Sequence, residues 1–241
     1  MKRRKKKITL QGSLLDNIER KRRFAKYMRS YRKEKKANDP KWYNRLKLYK
    51  KIADKRHRKK LKMDVLSYYS QKEIRCVHCG IKNVNILTID HIEGGGLKHL
   101  KTIGGSGARF YRWLRKNNYP VGFQVLCHNC QWIKRRDNNE NRQRENSTTP
   151  IRKLDTMKRR YEKIKTNVFL HYSPQFKCVK CGFSDEKALC IDHINNDGAK
   201  HRKRLGRKNI YSWIIKNNYP VYLQVLCMNC NWEKGSGVII G

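Results

Sequence analysis

From Leu14 to Lys36 the chain has neither Gly nor Pro, and Phe24, Tyr27, Met28 and Tyr31 recur at helical spacing. The pattern predicts a basic helix. Asn38-Asp39-Pro40 breaks it, with Asp39 placed to cap and Pro40 at the first helical position of a second helix. That helix is expected from Lys41 to about Tyr69, with Leu46, Tyr49, Ile52 and Ala53 among its apolar points. The period then changes. Asn85 to Ile92 reads as a strand, with Ile86, Ile89 and Ile92 around Asp90-His91. Gly94-Gly95-Gly96 and Gly104-Gly105-Ser106-Gly107 predict a flexible loop. Arg109 to Asn117 reads as a helix carrying Tyr111, Trp113 and Leu114, ended by Asn118-Tyr119-Pro120. Phe123-Gln124-Val125-Leu126 predicts a second strand, followed by a short helix.

The same pattern then recurs. Asp137 to about Pro150 is polar and reads as a linker, and Lys153 to Phe169 as a helix. Cys178, Cys181, Asp192, His193 and His201 lie 102 residues after their counterparts; Tyr211, Trp213, Asn217-Asn218-Tyr219-Pro220, Cys227 and Cys230 lie 100 after theirs. The two-residue loss falls in the loop, Gly-rich in the first copy and basic in the second (Lys200, Arg202, Lys203, Arg204). This is a duplication whose variation is confined to a surface loop.

Charge selects the class of partner. The 241 residues carry a net charge of +40, and nearly half of the 59 Lys and Arg fall in residues 1–62. Lys2 to Lys7 is an uninterrupted run of Lys and Arg and is expected to be disordered in the free protein. Such a field favours polyanions, nucleic acid before an anionic membrane, because Lys and Arg release counterions from phosphates. No apolar run approaches the ~20 residues of a membrane span, and no secretion signal is visible. DNA is therefore the expected partner, with RNA as the second candidate.

Nine cysteines are present, and eight form C-x-x-C pairs. Paired spacing without a secretion signal points to metal in a reducing, intracellular compartment (cytoplasm, nucleoid or nucleus) rather than to a disulfide framework. Cys76, Cys79, Cys127 and Cys130 are assigned to one structural Zn²⁺, and Cys178, Cys181, Cys227 and Cys230 to another. Iron–sulfur ligation is the alternative at these spacings. Cys190, which aligns with Thr88, is expected to be a small packed residue.

Between the pairs lies an Asp-His dipeptide, again in both copies. Neighbouring strand residues point to opposite sides, though twist at a strand end can bring both to one pocket. Cys178-x-x-Cys181, Asp192-His193-Ile194 and Gln224-Val-Leu-Cys227-x-x-Cys230-Asn231-x-x-Lys234 together resemble the zinc-containing HNH (His-Me finger) endonuclease family. The resemblance covers about residues 65–136 and 157–241 and excludes the basic arm. It implies an α+β fold of two tandem ββα-metal units, each stapled by a four-cysteine zinc site; the basic helical arm that precedes them is read from its own charge and spacing. It implies His193 as general base, Asp192 and Asn231 as ligands of a catalytic Mg²⁺ or Mn²⁺, and Lys234 as an electrostatic aid. The family's middle Asn has no counterpart at Tyr222 or Gly122; Asn217 or Asn218 would have to brace the loop instead. His99 and His201 are read as exposed loop residues, either touching substrate or without a role.

The copies differ at one key place: Asn231 is Gln131 in the first, where Asp90, His91 and Lys134 are retained. The second copy is expected to cut and the first to be weakened or purely DNA-binding. The chain is parsed as a helical, partly disordered nucleic-acid-binding arm (1–62), a first zinc unit (63–136), a linker (137–152) and a second, catalytic unit (153–241). A monomer working as an internal pseudo-dimer fits this parse. The expected function is a metal-dependent DNA endonuclease. The competing readings are a non-catalytic architectural or ribonucleoprotein component built from decayed units, and an RNA nuclease.

Overall fold

The computed structural model describes residues 2–71, 73–138, 151–206 and 208–235, with side chains described from residue 16 in the first helix and from residue 155 in the helix that opens the second copy. The chain divides into two compact units, residues 1–60 and 61–241.

In the first unit, helix α1 (Lys2–Asn38) is followed by the start of helix α2 (Pro40–Ser70). The basic run expected to be disordered falls within α1. Asp39 caps as predicted: its carboxylate accepts from the Trp42 N–H at 2.9 Å. Across this break the Tyr31 and Trp42 rings meet edge to face at 5.8 Å. None of residues 16–60 is buried, and Phe24, Tyr27 and Tyr49 are largely exposed. The aromatic spacing of these helices therefore marks no core.

The second unit holds both copies of the repeat. In the first, strands β1 (Leu87–His91) and β2 (Phe123–Cys127) pair antiparallel, with Asp90 opposite Gln124 and His91 opposite Phe123. Between them lie helices α3 (Gly96–Thr102) and α4 (Ala108–Lys116), and α5 (His128–Asp137) follows. Leu61, Val65 and Leu66 at the end of α2 pack on Leu87, Leu114 and Val125 in a core with almost no exposure. In the second copy, α6 (Ile151–Tyr172) takes the place of the end of α2. A short 3-10 turn (Glu186–Ala188), β3 (Leu189–His193), α7 (Gly198–Leu205), α8 (Ile210–Lys216), β4 (Leu223–Cys227) and α9 (Met228–Gly235) follow. Strands β3 and β4 pair in the same register, Asp192 opposite Gln224. Val168, Phe169, Ile214 and Val225 are fully buried or nearly so. The architecture is α+β, as expected.

The linker is shorter than predicted at both ends, because α5 runs through Asp137 and α6 starts at Ile151; residues 139–150 lie outside the described residues. The loop predicted to be flexible contains α3, and its counterpart contains α7.

The two copies meet through an exchange between their second Cys knuckles. The Asn129 N–H donates to Asn229 Oδ1 at 3.0 Å, and the Asn229 N–H donates to Asn129 Oδ1 at 2.9 Å. Both asparagines are buried. Each uses its side-chain oxygen to satisfy a buried amide at the start of the other's helix, an isologous contact within one chain. His128 stacks near Trp232 at 4.2 Å, and Asn83 donates to Glu233 at 2.5 Å across the same seam. Burial pushes the His128 imidazole down to about 4, with the charge of Lys62 adding to the effect. Among the described residues no helix is long and apolar enough to cross a membrane.

Asn229→Ala removes one acceptor from this exchange and leaves the buried Asn129 amide unpaired. The expected loss is about 1–3 kcal/mol, read as a lower urea midpoint for the zinc-loaded protein. An unchanged midpoint would show that the exchange contributes nothing to cohesion.

Candidate functional site

Each copy gathers four cysteines from a turn before its first strand and from the end of its second strand. In each copy a tight turn carries the first Cys pair: the Gly80 N–H bonds to the Cys76 carbonyl at 2.9 Å, and the Gly182 N–H to that of Cys178 at 2.9 Å. Gly80 and Gly182 sit at φ 75° and 73°, where a side chain would be strained. The second pair spans the last residue of the strand and the first turn of the following helix. Cys76, Cys79, Cys127 and Cys130 bring their four sulfur atoms within 4.8 Å of one another, as do Cys178, Cys181, Cys227 and Cys230. Cys79–Cys127 and Cys181–Cys227 are each 3.7 Å apart. Tetrahedral zinc with ~2.3 Å bonds sets sulfur separations of about 3.8 Å, so both clusters fit structural zinc.

Supporting bonds come from inside and outside each copy. The amides of Cys130 and Cys230 donate to Cys127 Sγ and Cys227 Sγ at 3.5 and 3.4 Å. The side chain of Asn229 favours the thiolate of Cys127, and that of Asn129 the thiolate of Cys227. Each cluster thus leans on the other copy. Cys190 stands apart from the clusters, as expected. It donates to the Leu226 carbonyl at 3.4 Å, and burial pushes its thiol up to about 12.

The Asp-His dipeptides end β1 and β3. Their carboxylates and imidazoles have separate sets of partners, as strand alternation requires. Asp192 Oδ2 accepts from Gln224 Nε2 at 2.9 Å and from Lys234 Nζ. Lys234 Nζ also donates to the His193 carbonyl, so one ammonium ties the carboxylate to the strand end. Lys134 does the same for Asp90 Oδ2 at 2.7 Å and the His91 carbonyl at 2.5 Å.

The imidazoles face the inter-strand loop. His193 Nε2 lies 2.6 Å from His201 Nδ1, and His91 Nε2 lies 2.7 Å from His99 Nδ1. His193 and His201 are both buried, at 8% and 4% exposure, so His201 is not the exposed loop residue expected from sequence. Burial holds both imidazoles below the usual range; the neighbouring His201 adds to this for His193, and Arg204 for His201. The pair is therefore neutral near neutral pH, and a single proton can bridge the two rings. Trp213 backs His201 at 4.2 Å, as Trp113 backs His99 at 4.3 Å. A glycine makes room for each ring. A Cβ at Gly198 would fall 2.9 Å from His193 Nδ1, and one at Gly96 2.9 Å from His91 Nδ1. In the second copy Asp197 Oδ1 and His201 Nε2 are also buried without a protein partner; Gly95 takes the place of Asp197 in the first.

The copies diverge at the helix residue after the last Cys. In the first, Gln131 Nε2 donates to Asp90 Oδ1 at 3.3 Å, so both oxygens of that carboxylate are engaged. In the second, Asn231 is one methylene shorter, and its Nδ2 donates instead to Cys190 Sγ at 3.0 Å. Among the described residues, Asp192 Oδ1 and the amide oxygen of Asn231 then have no hydrogen-bond partner. Asp192, His193 and Asn231 make no hydrogen bond to one another. Asn217 does not brace the Asp-His loop: its Nδ2 caps α8 by donating to the Trp213 carbonyl at 2.7 Å. The backbone does the bracing, with the Ile194 N–H donating to the Tyr222 carbonyl at 2.9 Å.

Sequence reasoning missed His99 and His201 as partners, Gln124 and Gln224 as carboxylate donors, and Gly96 and Gly198 as spacers. The available signal was the eight-residue interval from strand His to loop His, kept in both copies although the loop between the repeats' strands changes length. Comparison of the chain with known protein families, with curated proteins and with solved structures finds no match.

Two ions per chain are expected in zinc analysis of the intact protein, falling to one in Cys181→Ser; retention of both would place the metal elsewhere. Gly198→Ala should move the His193 imidazole resonances in NMR while leaving zinc content unchanged. Unmoved resonances would show that the ring does not depend on that space.

Proposed function

We propose that the protein is a metal-dependent DNA endonuclease of the HNH type, with its working site in the second copy. The observation that carries this reading is the buried His193–His201 pair on the strand end that also bears Asp192, a carboxylate that keeps one oxygen uncommitted. A neutral imidazole near pH 7 is suited to take a proton from water. One ring nitrogen of His193, Nε2, is committed to His201, which fixes the ring; in the tautomer where Nε2 donates, Nδ1 is the nitrogen that accepts. Gln224 and Lys234 hold the Asp192 carboxylate through Oδ2, and Cys190 orients the Asn231 amide through its nitrogen. Asp192 Oδ1 and the Asn231 amide oxygen are the hard donors that would hold Mg²⁺ or Mn²⁺. Such a cation, when bound, offsets charge on the scissile phosphate and the leaving oxygen.

The +40 charge supports nucleic acid as the substrate class, and the exposed aromatics and dense Lys/Arg of residues 16–60 support that segment as a backbone-tracking arm. The closed carboxylate of the first copy favours a second role for that copy: it holds DNA rather than cutting it. With a single open site per chain, the expected product is a nick.

Supercoiled plasmid incubated with Mg²⁺ or Mn²⁺, beside an RNA substrate and a reaction without divalent cation, tests the reading. Nicked circles that need the cation are expected; binding without cleavage would leave the architectural alternative, and cleavage of RNA alone the other. His193→Ala should reduce nicking by about 10²-fold or more, and His91→Ala by much less; the reverse ranking would overturn the assignment. Gln131→Asn should free Asp90 Oδ1 and raise the number of Mn²⁺ ions bound, counted by electron paramagnetic resonance, from one to two. An unchanged count would show that Gln131 does not close the first copy.

A further inference from the structure

Each copy displays one valine that packs against almost nothing. Val121 is 94% exposed and Val221 91%, the two most exposed large hydrophobic residues among those described. They occupy the same place, the tip of the turn Asn-Tyr-Pro-Val that joins α4 to β2 and α8 to β4. Single exposed apolar residues are ordinary on protein surfaces. The turn beneath these two is not ordinary.

Two successive residues before each Pro adopt left-handed backbone: Asn118 and Tyr119 at φ 54° and 52°, Asn218 and Tyr219 at φ 51° and 50°. For a tyrosine this costs on the order of 1–2 kcal/mol and persists only where neighbours enforce it. They do so on every side. The Tyr119 N–H bonds back to the Leu114 carbonyl at 2.8 Å, and the Tyr219 N–H to that of Ile214 at 3.0 Å. The Tyr119 ring stacks on Tyr68 at 4.2 Å, and the Tyr219 ring on His171 at 4.1 Å. Tyr69 donates its hydroxyl to the Pro120 carbonyl and Tyr172 to that of Pro220, both at 2.8 Å. Proline fixes φ at the tip itself. The supports use different residues in the two copies, Tyr68 in one and His171 in the other, yet hold the same shape. The result is a stiff projection capped by a small branched apolar side chain.

Its position and surroundings identify what it meets. The residue after each valine bonds through its carbonyl to the amide that follows the strand histidine: Gly122 to Ile92 and Tyr222 to Ile194, both at 2.9 Å. The tip therefore stands beside the Asp-His end of the sheet. No acidic residue occurs between Glu93 and Asp137 or between Asp197 and Glu233, the segments that contain the two tips. Arg112, Arg115 and Lys116 in the helix before Val121, and Lys216 in the helix before Val221, are exposed. An anionic membrane would meet the same charge, but one valine per tip gives only about 1.5–3 kcal/mol of apolar burial, too little to anchor a chain by insertion. At DNA the wedge does not have to anchor the protein: phosphate contacts hold it, and the bent duplex offsets the cost of unstacking.

We infer that Val121 and Val221 are wedges that enter duplex DNA between base pairs, unstacking one step for each copy of the repeat and presenting a bent backbone to the adjacent site. The inference rests on DNA being the partner proposed above. It adds a function for the first copy that does not require its carboxylate: the wedge is intact in both.

The test uses the zinc-loaded full chain without added divalent cation, so that cleavage plays no role. Duplexes carrying 2-aminopurine at successive positions report unstacking by fluorescence, end-labelled duplexes report bending by energy transfer, and anisotropy reports binding separately. Wild-type protein should raise 2-aminopurine fluorescence severalfold and shorten the end-to-end distance. Val121→Ser and Val221→Ser should each remove some of the signal and together abolish it, while affinity falls only a few-fold and zinc content is unchanged. Val121→Leu with Val221→Leu should retain unstacking. DNA bound by wild type without unstacking, or unstacking that survives the double serine variant, would overturn the wedge and leave the nuclease reading standing. Absence of DNA binding would overturn both. Valine-dependent binding to phosphatidylserine vesicles in place of DNA would overturn the wedge in favour of a membrane.

Discussion

Four sulfur atoms brought within bonding reach of one ion are the condition for everything else in each copy. The repeat is short, its core is a handful of side chains around Leu114 and Val125 or Ile214 and Val225, and the chain repels itself through a net charge of +40. The first Cys pair lies before the first strand and the second pair at the end of the second strand, so a cation shared by the four would close the sheet and the following helix into one body. Strand ends and helix start are then held in place together. That is what allows the Asp192 carboxylate on the strand to meet Lys234 on the helix.

The same knuckles join the copies. Asn129 and Asn229 sit between the cysteines of the two clusters, satisfy each other's backbone amide and favour the thiolate form in the other copy. Folding of one centre is thereby linked to folding of the other, and the two Asp-His strands are presented by a single framework. The duplication supplies two equivalent frames, and a single methylene separates their states. A glutamine reaches the carboxylate across the helix–strand gap; an asparagine stops short and turns to a cysteine sulfur. The histidine pair and its glycine spacer are common to both, though only His193 and His201 are buried, so the copies differ at the carboxylate and in the burial and surroundings of the ring pair.

Residues 1–60 obey a different logic. With none of the described side chains buried, this unit has no interior to stabilise it beyond helix bonding and a few ring contacts such as Tyr31 with Trp42. Its aromatic spacing and its Lys/Arg density are surface properties, and a field of this sign attracts polyanions.

Much of the repeat was legible in the chain itself. The duplication, both four-cysteine sets, the two strands, the Asp39 cap and the separation of Cys190 follow from spacing and residue type, because metal ligation and strand alternation are local constraints that leave periodic marks. The helices α3 and α7 were not legible, since the glycines that allow the tight entry into α3 also resemble a flexible loop. Nor was the burial of His201: only the packing of α7 against Trp213 and the space above Gly198 set the ring beside His193. The destination of Asn231 was likewise a matter of distance across the helix–strand gap, which no one-dimensional pattern encodes. Sequence thus determined which groups the molecule possesses and which cysteines form each four-sulfur cluster. Tertiary structure decided which of those groups face one another, because side chains far apart in the chain meet only when the core and the metal centres bring their elements together.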